Sequence, residues 1–222
     1  MNLALFDLDH TLLPIDSDHA WGEFVIALGW VDGAEFRRGN DAFYAQYREG
    51  RLDIDAYVDF ATAPLRARSG DELAAAHRRF MAEVIAPAIR PAALELVAAH
   101  RQSGDRLALV TSTNDFVTLP IAAAFGIDDL IATRLERDPA RRFTGRIEGT
   151  PAFREGKVAR VGQWLAEGGL SWRDFGRVTV YSDSLNDLAL LERATEPVAA
   201  NPSPELEALA RQRGWRIMKL FE

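Results

Sequence analysis

The chain contains no cysteine, so disulfides and thiolate-ligated metal centres are excluded. It has no surplus of basic charge: 26 Lys and Arg against 33 Asp and Glu give a formal charge of −7, with a pI near 5.2. That balance argues against nucleic acid or an anionic membrane as a partner. An anionic substrate would have to be drawn in by local groups and a metal, not by the overall field. No apolar stretch approaches the ~20 residues needed to span a bilayer. The N-terminus lacks a basic region followed by an apolar core, and Asp7 and Asp9 interrupt it too early for a signal peptide. Internal repeats and low-complexity tracts are absent. With 222 residues, 48% of them hydrophobic, the expectation is a soluble cytoplasmic protein, monomer or homodimer. It has one substantial core, with room for a small satellite domain.

What is present alternates between two patterns. Leu3–Leu8, Arg106–Thr111 and Arg177–Ser182 are short apolar runs that end on polar residues, as expected for strands buried on both faces of a parallel sheet. Shorter strands are expected at Leu130–Thr133, Pro197–Ala200 and Arg216–Leu220. Helical patterns lie between them: Ala92–Ser103 before Gly104, Asp115–Phe125 before Gly126, Phe153–Glu167 before Gly168 and Gly169, and Pro204–Arg213 before Gly214. This alternation indicates an α/β fold with a doubly wound, Rossmann-like parallel sheet. Ligands of such sheets bind beyond the carboxyl ends of the strands. The segment 14–91 breaks the rhythm. It is too long for a βα connection and carries amphipathic stretches at His19–Leu28, Ala34–Tyr47, Ile54–Ala63 and Gly70–Val84. The expected organisation is a core of residues 1–13 and 92–222 with a helical cap, 14–91, inserted after the first strand, where a lid belongs. Residues Arg134–Thr150 suggest a β-hairpin.

Asp7 and Asp9 stand one residue apart at the end of the first apolar run, so on a strand both side chains share a face. Two carboxylates held together repel, and such pairs persist where a divalent cation or a proton transfer needs them. An Asx turn at the strand exit would need only one of them. Three further polar clusters fall at strand ends or helix starts: Thr111-Ser112-Thr113-Asn114, Lys157 near the start of a helix, and Ser182-Asp183-Ser184-Leu185-Asn186-Asp187. Each has a bland reading. Thr111, Asn114 and Asp115 suit a helix N-cap, Lys157 a solvated helix face, and Ser182 and Asp183 the cap of a helix over Leu185–Arg193. Trp21, Phe24 and Trp30 read as lid core. His10 and His19 carry no assignment, because no third histidine or cysteine completes a zinc site.

The order Asp-x-Asp-x-Thr, Thr, Lys, Asp-x-x-x-Asp resembles the haloacid dehalogenase superfamily, in its phosphoserine-phosphatase-like branch, over nearly the whole chain. The resemblance implies a Mg²⁺-dependent phosphatase acting on a small phosphomonoester, phosphoserine- or histidinol-phosphate-like. Asp7 would be the nucleophile that forms an aspartyl-phosphate, and Asp9 the acid and base. Mg²⁺ would be held by the carboxylates of Asp7 and Asp183 and the backbone carbonyl of Asp9. Thr111 and Lys157 would bind the phosphoryl group, with Asp187 and Asn186 behind them. Ser112 and Asn114 would wall the substrate pocket. The match departs in places. The fourth motif has Ser182 and Ser184 where the branch has glycines, and Thr-Ser-Thr-Asn replaces Ser-Gly-Gly-Phe. Asp16 stands where the branch has a glutamate that reads the substrate ammonium, nine residues past the nucleophile. It could meet an amine or cap the first lid helix. Arg48, Arg51, Arg66 and Arg68 are all candidates for a substrate carboxylate. The Tyr-Ser-Asp-Ser-Leu-Asn-Asp run looks like a neighbouring subgroup that includes histidinol-phosphate phosphatases. A phosphotransferase or mutase using the same intermediate, or a non-enzymatic phospho-acceptor, stays open as an alternative.

Overall fold

The computed structural model describes residues 1–221. Six strands form one parallel sheet: β1 (Asn2–Phe6), β2 (Arg106–Asn114), β3 (Asp129–Thr133), β6 (Arg177–Ser182), β7 (Glu196–Ala200) and β8 (Arg216–Met218), in the order β3-β2-β1-β6-β7-β8. The remaining two, β4 (Leu135–Arg137) and β5 (Phe143–Ile147), pair antiparallel as a hairpin, within the stretch where the sequence suggests one. With the hairpin set aside, the six parallel strands have the doubly wound order, which reverses direction beside β1.

Burial on both sheet faces explains the apolar runs. Along β1, Ala4 and Phe6 join one hydrophobic cluster while Leu3 and Leu5 join the other, the period-two alternation of a strand with no solvated face. Six helices lie between β1 and β2, and the first five are α1 (Ser17–Ala27), α2 (Gly33–Arg48), α3 (Ile54–Arg66), α4 (Gly70–Phe80) and α5 (Ala86–Ala88), the last two of these joined by a π-helical stretch, Met81–Ile85. They supply Trp21, Phe24, Val58, Leu65 and Phe80 to the first cluster, together with α6 (Pro91–Gln102) and α7 (Asp115–Ala124). The opposite face is covered by α8 (Glu155–Glu167), α9 (Leu188–Leu191) and α10 (Pro204–Arg213) through Val161, Leu165, Leu190, Leu191, Leu206 and Ala210.

Several expected elements differ in their bounds: β2 runs to Asn114 instead of Thr111 and β8 ends at Met218 instead of Leu220, and two further differences shape the site. The first strand ends at Phe6 instead of Leu8, although Asp7 still donates its N–H to the Tyr181 carbonyl at 3.0 Å. The Leu8 carbonyl then collects the N–H groups of Thr11, Leu12 and Leu13 at 3.2, 2.8 and 3.0 Å, which curls the chain into a tight turn. His10 takes φ 58° in that turn, a left-handed conformation unusual for a side-chain-bearing residue. The Asn201 amide donates to the carbonyls of His10 and Thr11 at 3.1 Å each and pins it. The helix expected over Leu185–Arg193 is a 3₁₀ turn, Leu185–Asp187, followed by the four residues of α9.

Candidate active site

Asp7, the turn after it, Asp183 and the N-terminus of α8 meet at the carboxyl ends of β1 and β6. Lys157 sits in the first turn of α8 and is fully buried. Its ammonium donates to Asp7 Oδ1 at 2.8 Å and lies 2.7 and 2.8 Å from the two Asp187 oxygens. The Ser182 hydroxyl donates to Asp187 Oδ2 at 2.8 Å. Thr11 Oγ1 lies between Asp7 Oδ2 at 3.2 Å and Asp183 Oδ1 at 3.3 Å. The solvated-helix reading of Lys157 is therefore excluded. Burial works to lower the Lys157 pKa, but the Asp187 and Asp7 carboxylates outweigh it and hold the ammonium charged.

Two carboxylates thus contact the ammonium, and a third, Asp183, joins the cluster through Thr11. Asp183 is pushed well above the ordinary carboxylate range by burial, then by the charges of Asp7 and Asp187. Asp187 is raised to about 6 by burial, against the pull of Lys157. Among the described residues no group of three or more His, Asp or Glu side chains is disposed to hold a metal. A cation here would draw on two carboxylates, Asp7 and Asp183, together with backbone oxygen and water. That all-oxygen donor set, in a cluster with excess negative charge, fits a hard divalent ion.

Asp9 departs from the expectation of a shared strand face. Because the strand has already ended, its carboxylate is directed to other partners: Thr113 donates to Oδ2 at 2.7 Å, and the Ser17 N–H, at the start of α1, donates to Oδ1 at 2.7 Å. Burial, and then the charge on Asp16, raise it to about 6. The two aspartates do not relieve their repulsion by sharing one ion through both side chains; they point into different surroundings.

The other sequence candidates fall as follows. Thr111 is buried, and its oxygen accepts the Thr113 N–H at 3.1 Å. Asn114 caps α7, accepting from the Val117 N–H at 3.1 Å, and also donates to Asp18 Oδ1 at 3.2 Å. Asp115 is not the cap; it accepts the Leu135 N–H at 3.1 Å. Asp16 caps α1, accepting the His19 N–H at 2.7 Å, while it also lines a cavity. Asn186 donates to the Tyr47 carbonyl at 3.1 Å, at the end of α2, and not to the lysine cluster. His10 is hydrogen-bonded to the Tyr44 hydroxyl at 3.0 Å and His19 to Asp41 at 2.9 Å. Trp21 and Phe24 lie in the core against Phe80.

Between α1–α3 and the end of β2 is a small cavity of about 40 Å³, lined on one side by Asp9, Ser112, Thr113 and Asn114. The sequence reading missed Asp18 and Tyr57, which meet on the wall of this cavity, and the partners Thr11 and Thr113. Thr11 and Thr113 stand inside motifs already singled out, so their position was a signal. Asp18 and Tyr57 had none, because their places follow from how the cap helices pack.

Comparison with known proteins agrees with this geometry. The family model for haloacid dehalogenase-like hydrolases matches residues 4–192. A histidinol-phosphatase of Neisseria meningitidis is 48% identical over 98% of both chains. A phosphoserine phosphatase of Mycobacterium tuberculosis is 32% identical over 96% of this chain and 69% of its own length. A crystal structure of a protein of unknown function from Bordetella pertussis has a TM-score of 0.94 at 52% identity, covering 99% of both chains. A substrate-bound phosphoserine phosphatase shares the fold at a TM-score of 0.68 and 19% identity, over 98% of this chain and 92% of its own. Fold and relatives together define an enzyme of the phosphoric monoester hydrolase class. The chain belongs to the haloacid dehalogenase-like hydrolases.

Proposed function

We propose that the protein hydrolyses a small cytoplasmic phosphomonoester through an aspartyl-phosphate on Asp7, with Mg²⁺ as cofactor. The observation that carries this reading is the separation of the two aspartates. Asp7 is held by Lys157 and Thr11 beside Asp183, which suits a carboxylate that attacks phosphorus while its charge is balanced. Asp9 is held apart by Thr113 and Ser17, with a pKa near 6. A group titrating close to neutrality can give a proton to the departing alkoxide and take one from the attacking water. Lys157 and the Thr111 hydroxyl hold the phosphoryl oxygens. Mg²⁺ would be bound by Asp7, Asp183 and the Asp9 backbone carbonyl, and would neutralise charge on the phosphoryl group. Phosphate monoesters need accelerations of up to ~10²¹, so positioning and charge neutralisation must act together.

Residues 14–91 act in this reading as a cap over a core of 1–13 and 92–222. Supporting contacts are Asn186 on the Tyr47 carbonyl, Arg154 on the Gly50 carbonyl and His10 on Tyr44, each joining α2 or the residues just after it to a site loop. The Neisseria relative supports an amino-alcohol phosphate such as histidinol phosphate as substrate. Asp7→Asn is expected to abolish phosphate release from an aryl phosphate, and retained turnover would sink the assignment. Assayed with acceptor alcohols, the wild type is expected to yield free phosphate alone. A phosphorylated acceptor would make it a transferase, and stable phospho-Asp7 without turnover a phospho-acceptor.

A further inference from the structure

We propose that Asp18 is the specificity residue of this enzyme, pairing with a cationic nitrogen placed close to the phosphate ester of the substrate; the proposal rests on the phosphatase reading above. The cavity wall carries three carboxyl groups, Asp9, Asp16 and Asp18, the rings of Tyr44, Tyr47 and Tyr57, and His19, which is paired with Asp41, with no lysine or arginine among the described residues. Away from the phosphate, an anionic substituent would meet acidic side chains with no lysine or arginine to pair with it. A cation with an apolar or flat tail would find both carboxylate and ring faces.

The carboxylates are not equivalent. Asp9 is engaged by Thr113 and Ser17, and Asp16 by the helix terminus it caps. Asp18 is 8% exposed and meets two neutral groups, the Asn114 amide and the Tyr57 hydroxyl. Among the described residues no lysine or arginine pairs with it. A buried carboxylate without a cation is costly, so the Asp18 carboxyl is held neutral until an external cation reaches it, and its retention on a cavity wall marks the place for one. Ser112, on the same wall, keeps a buried hydroxyl oxygen with no partner among the described residues, a second polar group left for a ligand.

The spacing defines the substrate further. Thr113 holds Asp9 and its neighbour Asn114 holds Asp18. The acid that serves the ester oxygen and the carboxylate that reads the cation are therefore fixed by consecutive residues at the end of β2. The cation must lie within a few bonds of the ester oxygen, as in an amino-alcohol phosphate. A carboxylate on the same carbon is not provided for. Arg66 is paired with Asp59, Arg68 lies over Trp30, Arg48 and Arg51 are exposed, and none of the four lines the cavity.

The test compares kcat/KM of wild type and Asp18→Asn, which keeps an oxygen for Asn114, on histidinol phosphate, its desamino analogue and phosphoserine. Wild type is expected to prefer the ammonium-bearing ester over the desamino one by tenfold or more and over phosphoserine by a similar factor. In Asp18→Asn the first preference should fall to near unity. An unchanged preference in the variant, or a wild type that turns over both esters equally, would overturn the proposal. Should the variant not fold, inhibition of the wild type by histidinol and by its desamino analogue decides, with tenfold tighter binding of the amine expected and equal binding counting against. Failure of the wild type on every ester, aryl phosphate included, would instead remove the phosphatase reading.

Discussion

Burial raises the Asp18 carboxyl to about 8, with the charge on Asp16 adding to the shift and the Tyr57 hydroxyl opposing it. The ordinary value is 3.8, so between these limits the folded state holds a proton that the unfolded chain has released. The stability from that proton is fully present below 3.8 and is lost as the pH rises through 8. Asp18→Asn cannot ionise and escapes the loss. It is expected to be more stable than wild type by ~1–2 kcal/mol near pH 8, an increase in Tm of roughly 2–8 °C for a chain of this size. The gap should narrow steadily toward pH 5 in a series of thermal melts; a pH-independent gap would mean that ionisation of Asp18 is not its source. Legibility at this scale follows the same division. Asp7, Asp183 and Lys157 could be picked out because strand ends and motif order bring them together. Asp18 could not, since its neighbours Asn114 and Tyr57 are remote in the chain and meet it only through helix packing.

At the scale of elements, the start of α1 resolves the two sequence readings of Asp16 toward capping, since its carboxylate accepts the His19 N–H. Removing the carboxylate has two opposed effects: it exposes a helix terminus, and it relieves repulsion from Asp9. Comparing Asp16→Ala with Asp16→Asn isolates the cap, because both lose the charge and only asparagine keeps an acceptor. Asp16→Asn is expected to be the more stable by ~1 kcal/mol, read as a Tm difference of roughly 2–4 °C. Equal melting temperatures would show that the cap contributes nothing. Element boundaries were legible where apolar runs decide them: β6 falls on Arg177–Ser182 as expected. They were less so where hydrogen bonding intervenes. The turn gathered on the Leu8 carbonyl ends β1 two residues early, and Asn201, far away in sequence, pins that turn. Apolar patterning carries no information about that carbonyl.

Across the whole molecule, the sheet order places the ends of β1 and β6 side by side, so Asp7, Asp183 and Asp187 converge around Lys157 in a chain whose net charge is already −7. Strand alternation in the sequence was enough to infer that the strand-end clusters share one crevice, because a doubly wound sheet leaves one for all its carboxyl ends, while Lys157 was legible only through its place in the order of the family motifs. A cluster with three carboxylates and one ammonium stores repulsion that a bound cation relieves, and binding to the folded state alone raises stability by mass action. At Mg²⁺ near 100 times its dissociation constant the gain is ~2.7 kcal/mol, or roughly 5–10 °C in Tm, and EDTA should reverse it. Two variants separate side-chain ligation from backbone ligation. Asp183→Asn should lose the Mg²⁺-dependent shift. Asp9→Asn should keep it, since only the Asp9 carbonyl is assigned to the metal, while losing turnover because its carboxyl no longer carries a proton. A shift that survives in Asp183→Asn, or disappears in Asp9→Asn, would mean that the ion sits elsewhere in the crevice and that the division of labour between the two aspartates is wrong.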